Sequence, residues 1–211
     1  MLTYHDVHLP EDPARPVVWR EVAAHLSSWV PKGAAVLEIG AGYCDWINHV
    51  AAARRVAADI WTGLPRYAGP GVEAIVMDVA RDLRSVGLET FDVVLASNLL
   101  EHFEPDLAAS VVRDAAAVLK PGGRVILIQP NFRLAWRHYF DDYTHRSVFT
   151  DVSLPALLRA QGFVVEHVQP RLLPYSMRRA RVPVRGWLVR AYLRSPIKPM
   201  AGQMLVVARR G

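Results

Sequence analysis

The sequence predicts a layered α/β fold built on a mostly parallel sheet, and three observations predict it. Short apolar runs alternate with segments whose apolar residues recur at helical spacing, several of the runs end on a glycine or a polar residue, and Gly or Pro separates helix from strand. Pro16 precedes Val18, Val22, Leu26 and Trp29, an N-terminal helix stopped by Pro31-Lys32-Gly33. Residues 34–39, Ala-Ala-Val-Leu-Glu-Ile, form a buried strand that runs into Gly40-Ala41-Gly42, and a helix is expected from Asp45 to Ala53. Strands follow at Val56–Asp59, at Val72–Met77 before Asp78, and at Phe91–Ala96 before Ser97-Asn98. Leu107, Val111, Ala115 and Val118 share a helix face that Lys120-Pro121-Gly122-Gly123 closes. A fifth strand at Arg124–Gln129 leads into an aromatic and polar stretch from Asn131 to Thr150, then a helix near Ser153–Gln161 and strands at Phe163–Val168 and Gln203–Ala208. Ligands of parallel α/β sheets bind outside the carboxyl ends of the strands, so the polar strand ends are where chemistry is expected.

Composition narrows the class. The 211 residues are 52% hydrophobic and 21% charged with a mean hydropathy of +0.12, enough to fill a core and too apolar for a disordered chain. No apolar run approaches the roughly 18 residues of a membrane span. The start lacks the basic and apolar regions of a secretory signal, and lone Cys44 cannot form an internal disulfide, so a reducing, cytoplasmic setting is expected. Net charge is +5 but lopsided: residues 171–211 hold ten Lys/Arg and no acid, while the body is −5. Such a field suits an anionic partner.

Gly40 and Gly42 close a strand and allow a ligand to approach the backbone. Asp45 stands where the dinucleotide fingerprint has its third glycine, and a carboxylate there opposes a pyrophosphate, which favours a cofactor with a cationic centre and no phosphate. Asp59 lies one strand-helix-strand unit after Glu38, where a carboxylate can accept two ribose hydroxyls.

Val36-Leu37-Glu38-Ile39-Gly40-Ala41-Gly42 resembles motif I of the class I S-adenosylmethionine-dependent methyltransferases. Asp59, Asp78-Val79, the run Phe91 to His102 and Leu119 to Arg124 resemble further motifs of that family, in order, over roughly residues 34–130. Cys44 departs from the pattern, where a small residue, commonly glycine, is frequent. The resemblance implies a Rossmann-like, doubly wound sheet of seven strands with the last antiparallel, and S-adenosyl-L-methionine as cofactor. It also implies a binding set of Glu38, Gly40, Ala41, Gly42, Asp59, Asp78, Val79, Ser97 and Asn98. Within one domain the segments read as an N-terminal helical part (1–33), a cofactor core (34–130), an acceptor side (131–169), a basic insertion (170–202) and the final strand (203–211). Two readings stay open for Glu38, a contact near the cofactor's amino end or a buried carboxylate satisfied by loop N–H groups. For Asp78 they are an adenine contact or a helix N-cap.

His102 follows the fourth strand and His145 the fifth, and either imidazole could take a proton from an acceptor. A structural hydrogen bond is the alternative for His102. Phe132, Trp136, Tyr139 and Tyr143 could wall an acceptor or simply pack. Asp141-Asp142 with His145 has the composition of a divalent metal site, but turn capping and an ion pair explain one loop's acids as well, and no metal is expected. Cys44 is read as filling the turn rather than reacting. The expected reaction is methyl transfer to a hydroxyl of a small or carrier-linked acceptor such as a sugar, lipid or natural product. A noncatalytic binding module is the alternative; a dinucleotide oxidoreductase is weakened at Asp45, and a nucleic-acid substrate is disfavoured. Between the last two strands, residues 171–200 mix arginines with Trp187, Leu188, Val189, Tyr192 and Leu193. This interval is expected either to cover an anionic acceptor or membrane surface, or to pack on the body with its arginines paired.

Overall fold

The computed structural model describes residues 11–175 and 184–211. One sheet of seven strands organises them, comprising β1 (Ala35–Ile39), β2 (Arg54–Asp59), β3 (Val72–Val76), β4 (Phe91–Ser97), β5 (Leu119–Pro130), β6 (Phe163–Gln169) and β7 (Gln203–Arg210). Their order is β3-β2-β1-β4-β5-β7-β6, with β7 antiparallel to both neighbours and the other pairs parallel, as the sequence predicts. The helices are α1 (Arg15–Leu26), α2 (Val79–Asp82), α3 (Pro105–Val118), α4 (Phe132–Ala135), α5 (Ser153–Ala160) and α6 (Gly186–Arg194). Among the described residues no helix is long and apolar enough to cross a membrane.

Strand residues alternate between two cores because successive side chains leave opposite faces of a sheet. Leu37, Ile39, Val94, Ala96, Val125, Leu127 and Val206 pack with the buried faces of α3 and α5. Val36, Val93, Leu95, Ile126, Ile128, Leu205 and Val207 pack with α1, α6 and the segment after β1. Burial on both faces explains the unbroken apolar runs of the central strands.

Two elements differ from expectation. Residues 42–49 form consecutive turns rather than the expected helix from Asp45 to Ala53. The Ile47 N–H, which a helix would give to the carbonyl of Tyr43, is taken by the Glu38 carboxylate at 2.9 Å, and Cys44 is left-handed at φ 57°. Lys120 to Gly123, expected as a turn, lies within β5 as an irregularity, the register jumping from Phe91 against Leu119 to Val93 against Arg124. Asp92 pins that end of the sheet, accepting from Ala35 N at 2.8 Å and from Lys120 Nζ.

The basic interval packs on the body where it is described. α6 buries Val189 and Leu193, and Arg190 donates to both carboxylate oxygens of Glu21 on α1, at 2.7 and 3.0 Å. Lys198 caps α6 by donating to the carbonyls of Tyr192 and Leu193. Arg178, Arg179, Arg181 and Pro183, which the sequence reading placed in the anionic-facing cover, lie outside the described residues.

Candidate active site

The chain order of the strands reverses between β1 and β4, and a cavity of about 490 Å³ opens at their carboxyl ends. All nine residues of the expected binding set line it. Register explains why: Ile39 pairs with Ala58 and Ala96, and Asp59 with Val76, so the ends of β1, β2, β3 and β4 fall at one level.

Gly40 and Gly42 have φ of 66° and 49°, and a Cβ on Gly40 would stand 2.8 Å from the Leu99 side chain. Asp59 is buried and its two oxygens accept from Gly42 N and Trp61 N, each at 2.8 Å. Each oxygen retains a lone pair for a further donor such as a ribose hydroxyl. Asp78 caps α2 by accepting from Ala80 N at 3.0 Å and also lines the cavity, so cap and cavity wall coexist in one side chain. Glu38 holds the Ile47 N–H, the loop contact among its two readings, and also lines the cavity. Burial pushes its carboxyl well above the ordinary value, and the neighbouring Asp45 and Asp59 charges add to that. Asn98 takes a left-handed turn at φ 49°, its amide reaching Ser97 Oγ at 3.1 Å.

Arg15, Trp19, Trp61 and Thr144 line the cavity without being among the residues the sequence points to, and Asp45, whose charge the sequence sets against a pyrophosphate, lines it as well. Arg15 comes from α1 and pairs with Asp45 at 2.6 Å, a contact no local motif reveals. Trp61 follows Asp59 by two residues and stacks on Tyr67 with ring centroids 5.3 Å apart. Four carboxylates, Glu38, Asp45, Asp59 and Asp78, face one guanidinium in this cavity. That balance suits a ligand carrying sulfonium and ammonium charges and opposes a polyphosphate.

His102 also lines the cavity. Its Nδ1 meets Thr144 Oγ1 at 2.8 Å, and Thr144 Oγ1 donates in turn to Asp142 Oδ1 at 2.6 Å. His145, expected to face the acceptor, is buried behind His102 with ring centroids 4.9 Å apart, and lies 4.5 Å from the Tyr139 ring. Asp141 meets His138 Nδ1 at 3.1 Å and Asp142 accepts from Thr144 N at 3.0 Å, the turn-capping use of these acids. The four aromatic residues do not form one wall: Tyr139 is buried with its hydroxyl on the Ser147 carbonyl, Phe132 packs on it edge-on, and Trp136 and Tyr143 are exposed. Cys44 is buried, and its thiol is pushed up to about 12, chiefly by burial, with Glu38, Asp45 and Asp59 contributing.

A methyltransferase domain family model matches residues 14–168. The chain belongs to this family, as a class I S-adenosylmethionine-dependent methyltransferase domain. The fold is shared with a SAM-dependent methyltransferase from Archaeoglobus fulgidus at 19% identity and a TM-score of 0.65, over 90% of this chain and 94% of the other. It is shared too with the N-methyltransferase NodS of Bradyrhizobium japonicum, in complex with S-adenosyl-L-homocysteine, at 14% identity and a TM-score of 0.64, over 99% and 93%. A third likeness is the 1,6-didemethyltoxoflavin-N1-methyltransferase of Burkholderia thailandensis, at 23% identity and a TM-score of 0.57, over 95% and 79%. No curated protein matches the sequence. The cofactor of this methyltransferase is S-adenosyl-L-methionine, and the anionic, glycine-edged cavity fits it.

Proposed function

We propose that this methyltransferase acts on a hydroxyl oxygen of a small or carrier-linked molecule, of the kind a sugar, lipid or natural product presents. The observation that carries the reading is the placement of His102, bonded to Thr144, in the wall of the same cavity as Asp59 and the glycine turn. When bound, S-adenosylmethionine supplies a sulfonium methyl that an in-line nucleophile displaces. Gly40, Gly42 and Asp59 hold the cofactor, Glu38 faces its amino end, and Asp78 with Val79 borders the adenine. His102, with Glu101 and His145 directly behind it, acts on the acceptor hydroxyl. An ordinary alcohol is a poor nucleophile until it loses its proton, and a polar group beside it lowers that barrier. A neutral amine needs no such help, so an imidazole cluster beside the acceptor favours oxygen. Nitrogen acceptors, as in the names of the Bradyrhizobium and Burkholderia enzymes, are the competing reading.

Calorimetry with S-adenosylmethionine, S-adenosylhomocysteine and NADH tests the cofactor half: the first two are expected to bind in the micromolar range and NADH not at all. Transfer of a labelled methyl group to a panel of alcohols, phenols and amines tests the acceptor half. Label on amines alone would overturn the oxygen reading. His145→Ala is expected to lower the transfer rate far more than cofactor affinity, and equal losses in both would remove His145 from the acceptor side.

A further inference from the structure

Glu101 is the most confined acid of the described residues with respect to its partners. It is 1% exposed, and neither of its carboxylate oxygens has a hydrogen-bond partner on another described residue. A buried carboxylate carries about four lone-pair sites, and leaving them without partners from the surrounding residues, away from water, is costly. The backbone shows that the position is built rather than incidental. The Glu101 carbonyl accepts from Arg146 N at 2.8 Å and Ser147 N at 3.1 Å, and Ser147 Oγ donates to the Phe103 carbonyl at 2.7 Å. These bonds clamp the turn after β4 against the segment after β5 and bring His145 to the Glu101–His102 pair. One ligand atom from each of Glu101, His102 and His145 falls within 4.8 Å of the others.

We propose that Glu101, His102 and His145 bind a divalent first-row transition cation, such as manganese or zinc, beside the cofactor cavity. The donor set decides the class of ion. Two imidazole nitrogens and one carboxylate oxygen suit the ions from Mn²⁺ to Zn²⁺, whereas Mg²⁺ and Ca²⁺ favour sites made of oxygen. Two ligand atoms bonded to one ion at ~2.1 Å stand at most about 4.2 Å apart, so binding draws in any pair that stands near the 4.8 Å bound. The tautomer of His102 is already set for this. Thr144 Oγ1 gives its proton to Asp142, so it accepts from His102 Nδ1–H, and a neutral His102 then carries its lone pair on Nε2. Three protein ligands leave positions open, and His102 and Thr144 border the cavity, so an acceptor oxygen can complete the shell from that side. That use of the ion rests on the oxygen-acceptor reading above; the binding site itself stands on the side-chain geometry alone. The competing account is a Glu101 held protonated at neutral pH, since burial pushes its carboxyl up to about 8.

The test is direct cation binding to chelator-stripped full-length protein. Free Mn²⁺ is counted by electron paramagnetic resonance during a titration, and Co²⁺ is followed by its visible absorption, with no acceptor or cofactor present. One saturable equivalent is expected, weakened at least about tenfold in Glu101→Gln and in His145→Ala and unchanged in Asp141→Asn. Circular dichroism confirms that each variant is folded. Cofactor calorimetry on the same samples separates the two readings, because a protein that binds the cation but not S-adenosylmethionine refutes the proposed function and leaves this site standing. No saturable binding, or binding that survives both ligand substitutions, overturns the site and leaves Glu101 a buried neutral acid.

Discussion

Asp59 uses one carboxylate for two purposes, since the oxygens that fix the Gly42 and Trp61 N–H groups are the ones available to ribose hydroxyls. Asp59→Ala therefore loosens the loop and removes the ligand contact together. With charge-assisted hydrogen bonds worth about 1.5–3 kcal/mol each, we expect S-adenosylmethionine to bind about tenfold to a hundredfold more weakly, measured by calorimetry. Parent-like affinity would remove Asp59 from the cofactor site. Cys44 gives the opposite kind of expectation. Its burial and raised thiol leave almost no thiolate at pH 8, so a thiol reagent such as Ellman's is expected to label it only after denaturation. Labelling of the native protein at the rate of a free thiol would show that the turn opens. At this scale the sequence was legible wherever a residue sits on a strand end, as Glu38, Asp59, Ser97 and Asn98 do. It was mute where a role depends on distant partners. Nothing near Glu101 in the chain reveals that Arg146 and Ser147 will press His145 against it, and nothing near Asp45 names Arg15.

Elements were read well where periodicity and stop signals agree, as in α3, and poorly where a side chain outbids the backbone. Apolar spacing after Gly42 suits a helix, but the Glu38 carboxylate intercepts the Ile47 N–H and the left-handed Cys44 breaks the first turn. A carboxylate reaching nine residues along the chain leaves no trace in local propensity. The α1 and α6 pair shows the same dependence on distance. Hydrogen bonds from Arg190 hold the Glu21 carboxyl below its usual value of 4.5. A depressed carboxyl contributes stability that is present above the unfolded-state value and is lost as pH falls through the folded one. We expect thermal stability to fall on acidification below about pH 4.5, and to fall less in Glu21→Gln, which lacks this group. Parallel acid profiles for parent and variant in thermal unfolding would show that the pair does not tie α6 to α1.

For the whole molecule, the reversal of strand order gathers the carboxyl ends of β1, β2, β3 and β4 on one rim, so a ligand bound there would brace four strands at once. At a ligand concentration a hundred times Kd, binding to the native state alone adds about 2.7 kcal/mol. For a chain of this length that is a rise in melting temperature of about 5–11 °C, expected with S-adenosylmethionine and not with NADH. Glu38 makes the rise depend on pH. Burial raises its carboxyl, so the free protein favours the neutral acid, and that contribution to stability is present at low pH and declines as pH climbs from about 4.5 toward the folded value. An ammonium group facing Glu38 reverses the preference, because the ion pair needs the carboxylate. Binding then releases a proton and tightens as pH rises. Below the range in which an α-amino group loses its own proton, the ligand-induced rise is expected to grow with pH in the parent. In Glu38→Gln it should be flat. A rise independent of pH in the parent, or equally dependent in the variant, would separate Glu38 from the amino end of the cofactor and leave it only the Ile47 N–H to hold.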